Sequence, residues 1–102
     1  MYIARAFSHK TEFYEAIDRV PLSPLVLSVT SRLGTDWSGE SAVFFQVVLD
    51  DSVPRGDLLA LTKQVRLAIV LQVRPLEEWD VLPYFDFITQ SEHAKMKEPA
   101  WV

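Results

Sequence analysis

The chain has 102 residues, 49% of them hydrophobic and 24% charged. That excludes a disordered chain and points to a single domain, residues 1–102, able to bury roughly two-thirds of its unfolded surface. There is no cysteine, so disulfides and thiolate metal sites are excluded, and 10 basic against 14 acidic residues leave a net charge of −4 with no global attraction for nucleic acid.

The opening stretch, MYIARAFSHK, lacks the apolar segment of a signal peptide, and no apolar run approaches the length that spans a bilayer. A cytoplasmic protein is therefore expected. Residues 1–20 are expected to hold a helix. Phe13, Ile17 and Val20 are spaced i, i+4, i+7 and make one apolar stripe, with Tyr14 beside them. Thr11 is the expected N-cap, Glu12 and Glu15 suit the positive end of the helix dipole, and Pro21 and Pro24 end the segment.

Leu25 to Leu33 alternates as a half-buried strand does. Leu27, Val29 and Leu33 fall on one face, and Val26, Ser28, Thr30 and Arg32 on the other. Gly34 to Ser41 then reads as a hairpin loop carrying one large side chain, Trp37. Ala42 to Leu49 follows, dominated by β-branched and aromatic residues, and predicts a strand. Val43, Phe45, Val47 and Leu49 share one of its faces; Ala42, Phe44, Gln46 and Val48 share the other. Both faces are mainly apolar, so the strand belongs inside the sheet.

After this strand, Asp51 or Ser52 is the expected cap of a helix that opens near Pro54 and runs to about Arg74. Leu58, Leu61, Val65, Ala68, Ile69 and Gln72 form its main stripe. Its second half is apolar nearly all round, with Leu67, Val70, Leu71 and Val73 beside that stripe. Pro75 stops it, and Leu76 to Leu82 is a connector or short helical turn carrying Trp79. Pro83 introduces a third strand, Tyr84 to Thr89, in which Phe85 and Phe87 face one way and Tyr84, Asp86 and Ile88 the other. Ser91 is the expected cap of a short helix from Glu92 to Lys97, ended by Pro99, with Ala100–Val102 as a tail.

The predicted fold is thus α+β in the order α-β-β-α-β, a small mixed sheet with helices packed on one face. The first two strands pair antiparallel, and the second and third run parallel across the long helix. A sheet covered on one face, together with a helix apolar on two sides, leaves more apolar surface than soluble monomers expose. A homodimer, or a complex with a helical partner protein, is therefore expected. Leu67, Val70, Leu71 and Val73 on the helix, with Phe44 and Trp37 on the sheet side, are its candidate interaction residues.

The chemistry-bearing residues form no constellation. Asp36, Glu40, Asp50 and Asp51 bracket the central strand, but Asp36 and Asp50 stand at its opposite ends and share no site, so turn and capping duty is expected. His9 and His93, the two histidines, are read as exposed polar residues. Ser38 in Trp-Ser-Gly-Glu lacks the first glycine of a nucleophile elbow, because Asp stands at position 36. Neither a dinucleotide fingerprint nor a P-loop occurs. The α-β-β-α order resembles part of a KH-type RNA-binding domain, but the G-x-x-G clamp is missing. Phe44, Phe45, Phe85 and Phe87 are read as core rather than as a base-stacking platform, since basic residues do not interleave with them. Neither a catalytic nor a metal-ligating residue is assigned, and no cofactor is expected.

Three pieces, LGTDWSGESAVFFQVVLDD (33–51), YFDFITQSE (84–92) and EPAW (98–101), resemble a group of short bacterial proteins with a D-W-[ST]-G-[DE]-x-A core. Genes of that group sit beside genes for HEPN-like helical proteins, as in toxin–antitoxin pairs. The resemblance spans most of residues 25–101 and implies a non-catalytic interaction module, the antitoxin-like regulatory partner of a HEPN-type protein. Two alternatives stand beside it: a minimal or degenerate nucleotidyltransferase using the acids near Asp50, and a small KH-like RNA-binding module. The chain departs from the nucleotidyltransferase pattern in lacking a Gly-Ser followed by an Asp-x-Asp pair, so no catalytic residue is carried over.

Overall fold

The computed structural model describes residues 3–96, with the backbone alone at Met96. Tyr2, Pro99 and the Ala100–Val102 tail, and with them the EPAW piece, lie outside the described residues. The elements are α1 (Arg5–Ser8), α2 (Lys10–Asp18), β1 (Val26–Thr35), β2 (Ser41–Leu49), a 3-10 turn (Arg55–Asp57), α3 (Leu58–Val73), α4 (Pro75–Trp79), β3 (Leu82–Thr89) and α5 (Gln90–Met96). The strand order is β1-β2-β3, with β1 antiparallel and β3 parallel to β2. This is the expected α+β fold, with β2 in the middle.

The inner face of β2, Val43, Phe45, Val47 and Leu49, is wholly buried. It packs in one cluster with Phe13, Ile17 and Val20 from the N-terminal segment, Leu61, Val65, Ile69 and Val73 of α3, and Trp79 and Val81. Val29 and Leu33 of β1 and Phe85 and Phe87 of β3 extend that cluster on either side of β2. Short connections fasten the helical layer. The rings of Phe13 and Trp79 lie 5.2 Å apart, and the Arg5 guanidinium sits 4.8 Å from the Trp79 ring centroid while donating to the Glu78 carbonyl at 3.3 Å.

Several local expectations are corrected. The N-terminal segment is two helices, and Thr11 lies inside the second, whose N-cap position is His9 with no side-chain cap. In β1 the register steps from Val26↔Leu49 to Ser28↔Val48, so Leu27 is an extra residue. This β-bulge turns Val26 onto the core side and Leu27 outward, reversing their expected faces. Asp51 and Ser52 do not cap α3, which follows the 3-10 turn and has Asp57 at its N-cap position without a side-chain bond. The α3 stripe ends on Val73 and leaves Gln72 exposed, because Leu61, Val65, Ile69 and Val73 repeat every four residues and keep to one side. Arg74, in the left-handed region at φ 52°, closes α3, and Pro75 opens α4 at once.

The cap of α5 is also reassigned. Thr89 Oγ1 accepts the Glu92 amide at 3.3 Å, and Glu92 Oε1 accepts the Thr89 amide at 3.2 Å. This is the reciprocal capping box that T-Q-S-E encodes. Ser91 is instead held by Asp51, which accepts its hydroxyl at 2.6 Å and its amide at 3.1 Å. Those bonds tie the start of α5 to the loop that follows β2.

The two sides of α3 are expected to respond differently to truncation. Ile69→Ala, on the buried side, should cost about 2–5 kcal/mol in urea unfolding. Leu71→Ala, 64% exposed, should stay within about 0.5 kcal/mol. Equal effects would refute the assignment of the core face.

Candidate functional site

The outer face of the sheet is built by register. Gly34, Ala42 and Leu82 lie side by side across the strands, then Arg32, Phe44 and Tyr84, then Thr30, Gln46 and Asp86, then Ser28, Val48 and Ile88. The expectation was a broad apolar face. The observed face is narrower, since Ala42, Val48 and Ile88 are buried, and α5 contacts β2 and β3. What stands out from it is the second of these rows.

That row is a stack. The Phe44 and Tyr84 rings are nearly parallel, with centroids 5.5 Å apart and planes 19° off. The Arg32 guanidinium lies 4.8 Å from the Phe44 centroid, on the β1 side. Trp37, from the hairpin loop, tilts against Tyr84 at 5.4 Å. Phe44 is thus flanked by Arg32 and Tyr84, and Tyr84 contacts both Phe44 and Trp37. A hollow of about 420 Å³ lies beside the row, with Arg32 and Phe44 on one side and Thr30, Gln46 and Asp86 on the other. Trp37 is 85% exposed.

The turn that carries Trp37 is closed by Asp36. Oδ1 of Asp36 accepts from the Ser38 hydroxyl at 2.7 Å, the Ser38 amide at 2.9 Å and the Glu40 amide at 2.9 Å; Oδ2 accepts from the Tyr84 hydroxyl at 2.7 Å. The backbone closes the same turn, with Gly39 donating to the Asp36 carbonyl and Asp36 to the Glu40 carbonyl. Gly39 takes φ +86°, the left-handed position that ends a three-residue hairpin loop. Asp36 is buried apart from 9% of its surface. Its donors hold the carboxyl down at about 2, the Ser38 and Tyr84 hydroxyls leading and the Glu40 and Ser38 amides adding, against the opposing effect of burial. The same bond pushes the Tyr84 phenol up, helped by burial and by the negative charges of Asp36 and Glu40.

The other polar candidates do not converge. Asp50 receives the Ser52 amide at 2.8 Å, and Ser52, through its hydroxyl and its amide, lowers the Asp50 carboxyl. Asp51 is lowered chiefly by the Ser91 hydroxyl and amide. Both therefore serve loop geometry. His9 is exposed, with Nδ1 2.9 Å from the Ser8 hydroxyl, and Ser38 faces Asp36 rather than a histidine. Among the described residues, no group of three or more His, Cys, Asp or Glu side chains is placed to hold a metal ion.

The interaction residues expected on the long helix divide. Leu67, 57% exposed, and Leu71 are open to solvent, and Val70 is half-buried. Val73 is 3% exposed and belongs to the core, since it continues the buried stripe. On the sheet side, Trp37 and Phe44 lie in the same row. Sequence reasoning missed Arg32, Tyr84 and the anchoring role of Asp36. An Asp two residues before a Ser in a hairpin loop signals an Asx turn, but the bond to Tyr84 spans 48 positions and has no local signature. The run of Arg55, Lys63, Arg66 and Arg74 in one segment is legible in the sequence as a local basic patch, but not the hollow of about 310 Å³ that Lys63, Arg66, Leu67 and Val70 line on α3.

Comparison with protein-family models, with curated proteins and with solved structures returns no match. Among the described residues no helix is long and apolar enough to cross a membrane.

The Asp36 anchor has a pH signature. The carboxyl sits at about 2 in the folded chain against 3.8 ordinarily, so its contribution is complete above 3.8 and is lost as pH falls through about 2. The melting temperature of Asp36→Ala should therefore lie below that of the native chain at neutral pH, with the gap closing in acid. A gap that does not change with pH would show that the carboxylate charge is not what holds the turn.

Proposed function

We propose that the chain is a non-catalytic protein-interaction module with the Trp37 row as an interface. The observation that carries this reading is a tryptophan that is 85% exposed on a closely hydrogen-bonded turn. Its turn is tied to a carboxylate with four hydrogen bonds, and its ring rests on Tyr84. Large aromatic side chains anchor interfaces, and one carried on an already ordered turn costs less backbone freedom on binding. Arg32, at the far end of the row, adds a second residue type enriched at such anchors.

The stack favours a protein over a nucleic acid. Bases need open ring faces, whereas Phe44 is already stacked on Tyr84 with the Arg32 guanidinium over its ring. The surrounding side chains include Asp86 and Glu40, which repel phosphates. Catalysis receives no comparable support, because Asp36 and Asp50 are engaged within their own turns and Asp51 by Ser91 at the start of α5. The resemblance to proteins encoded beside HEPN-type helical proteins supplies the finer reading, an antitoxin-like regulatory partner acting as a homodimer or in a complex with a helical protein.

The test is light scattering of the purified chain, alone and co-expressed with the product of the adjacent gene. Trp37→Ala should dissociate the assembly, weakening it at least roughly tenfold while leaving the melting temperature in place. Monomers in both preparations would refute the reading. Mg²⁺-dependent nucleotide retention lost on Asp50→Asn or Asp51→Asn would replace it with a nucleotidyltransferase. Salt-sensitive RNA binding through Arg66 or Arg74 would replace it with an RNA-binding module.

A further inference from the structure

The outward side of α3 carries two neighbouring ridges at helical spacing, Leu59–Lys63–Leu67–Leu71 and Thr62–Arg66–Val70. The hollow lined by Lys63, Arg66, Leu67 and Val70 is the groove between them. Its floor and walls are apolar, and its borders are cationic. Arg66 is no loose tether, since its guanidinium lies 5.7 Å from the Phe85 ring and 5.8 Å from the Phe87 ring. Neither Lys63 nor Arg66 takes part in an ion pair among the described residues. Residues 55–74 carry Arg55, Lys63, Arg66 and Arg74 against Asp57 alone, in a chain whose net charge is −4.

We propose that this groove docks an amphipathic helix of a different protein, one whose leucine-type ridge is flanked by Asp or Glu. A groove between two i, i+4 ridges is complementary to a ridge of another helix, crossing at about 50°. The cations on the border select the sign of the flanking charge. A second copy of this chain does not fit. Pairing α3 with itself about a two-fold axis near Leu67 brings Arg66 against Arg66. The acidic helix α2 has its apolar residues, Phe13 and Ile17, buried in its own core. A lipid surface is a poorer match, because a bilayer offers no ridge to enter the groove.

This proposal rests on the interaction-module reading but uses none of the aromatic row, which makes the two separable. The probe is a panel of fluorescein-labelled helical peptides, leucines at i, i+3, i+4, i+7 flanked by glutamates, with lysine-flanked counterparts, read by anisotropy. The glutamate peptides should bind and the lysine peptides should not. Lys63→Glu with Arg66→Glu should weaken binding at least roughly tenfold and admit the lysine peptides instead. Trp37→Ala should leave binding unchanged. A loss of peptide binding on Trp37→Ala would move the site to the aromatic row and sink the groove. Failure of every glutamate peptide, equal binding of both series, or co-sedimentation with phosphatidylserine vesicles in place of peptide binding would each overturn the proposal while leaving the Trp37 reading standing.

Discussion

The fold depends on the demand of β2 for cover on both sides. Its inner residues, Val43, Phe45, Val47 and Leu49, draw α2, α3 and α4 into one layer, and each of those helices contributes its buried residues to that cluster. Its outer residues alternate in character. Ala42 and Val48 are small enough to be hidden by neighbours, but Phe44 is not, and it is instead walled in by Arg32, Tyr84 and, through Tyr84, Trp37. The aromatic row is therefore what the central strand requires on its second face when no helix layer covers it. Function, on this reading, uses a residue whose burial the chain accomplishes only in part.

Local periodicity accounts for what was legible in the sequence. The strand character of residues 42–49 and the Phe13–Ile17–Val20 stripe follow from spacing, and the antiparallel and parallel pairings from the short loop and the helical crossover that join the strands. Pairings between distant polar groups do not. Asp51 was assigned to the helix that follows it in sequence, and it serves α5 instead, 40 positions on. Thr89 was passed over for Ser91, although T-Q-S-E carries the capping-box spacing in full view. The Leu27 bulge defeated strict alternation, because one inserted residue exchanges the faces of everything before it. In the long helix the Leu61–Val65–Ile69 stripe is legible, but an apolar run on all sides places Val73 with Leu67 and Leu71, and only its burial in the core cluster separates it from them.

Charge is distributed with the same economy. The carboxylates at the two ends of β2, Asp36 and Asp50, are engaged in turns, while the cations of α3 border apolar residues in the open. An acidic chain thus presents one cationic, leucine-bearing helix and, on another part of its surface, an aromatic row. The two differ in what they select. The row offers rigid area, and the helix offers a sign of charge.

The ends of the sheet bear on how such a molecule avoids sticking to itself. Among the described residues β1 and β3 are its edges, and each could in principle accept another strand. Pro83 lies within β3 and has no amide hydrogen to offer a newcomer, while the bulge at Leu27 breaks the spacing of β1. An intruding strand meets a gap in the donor row on one side and a kink on the other. Growth by adding strands is thereby discouraged, and traffic with other molecules is left to the side chains that stand above and below the sheet rather than to its backbone.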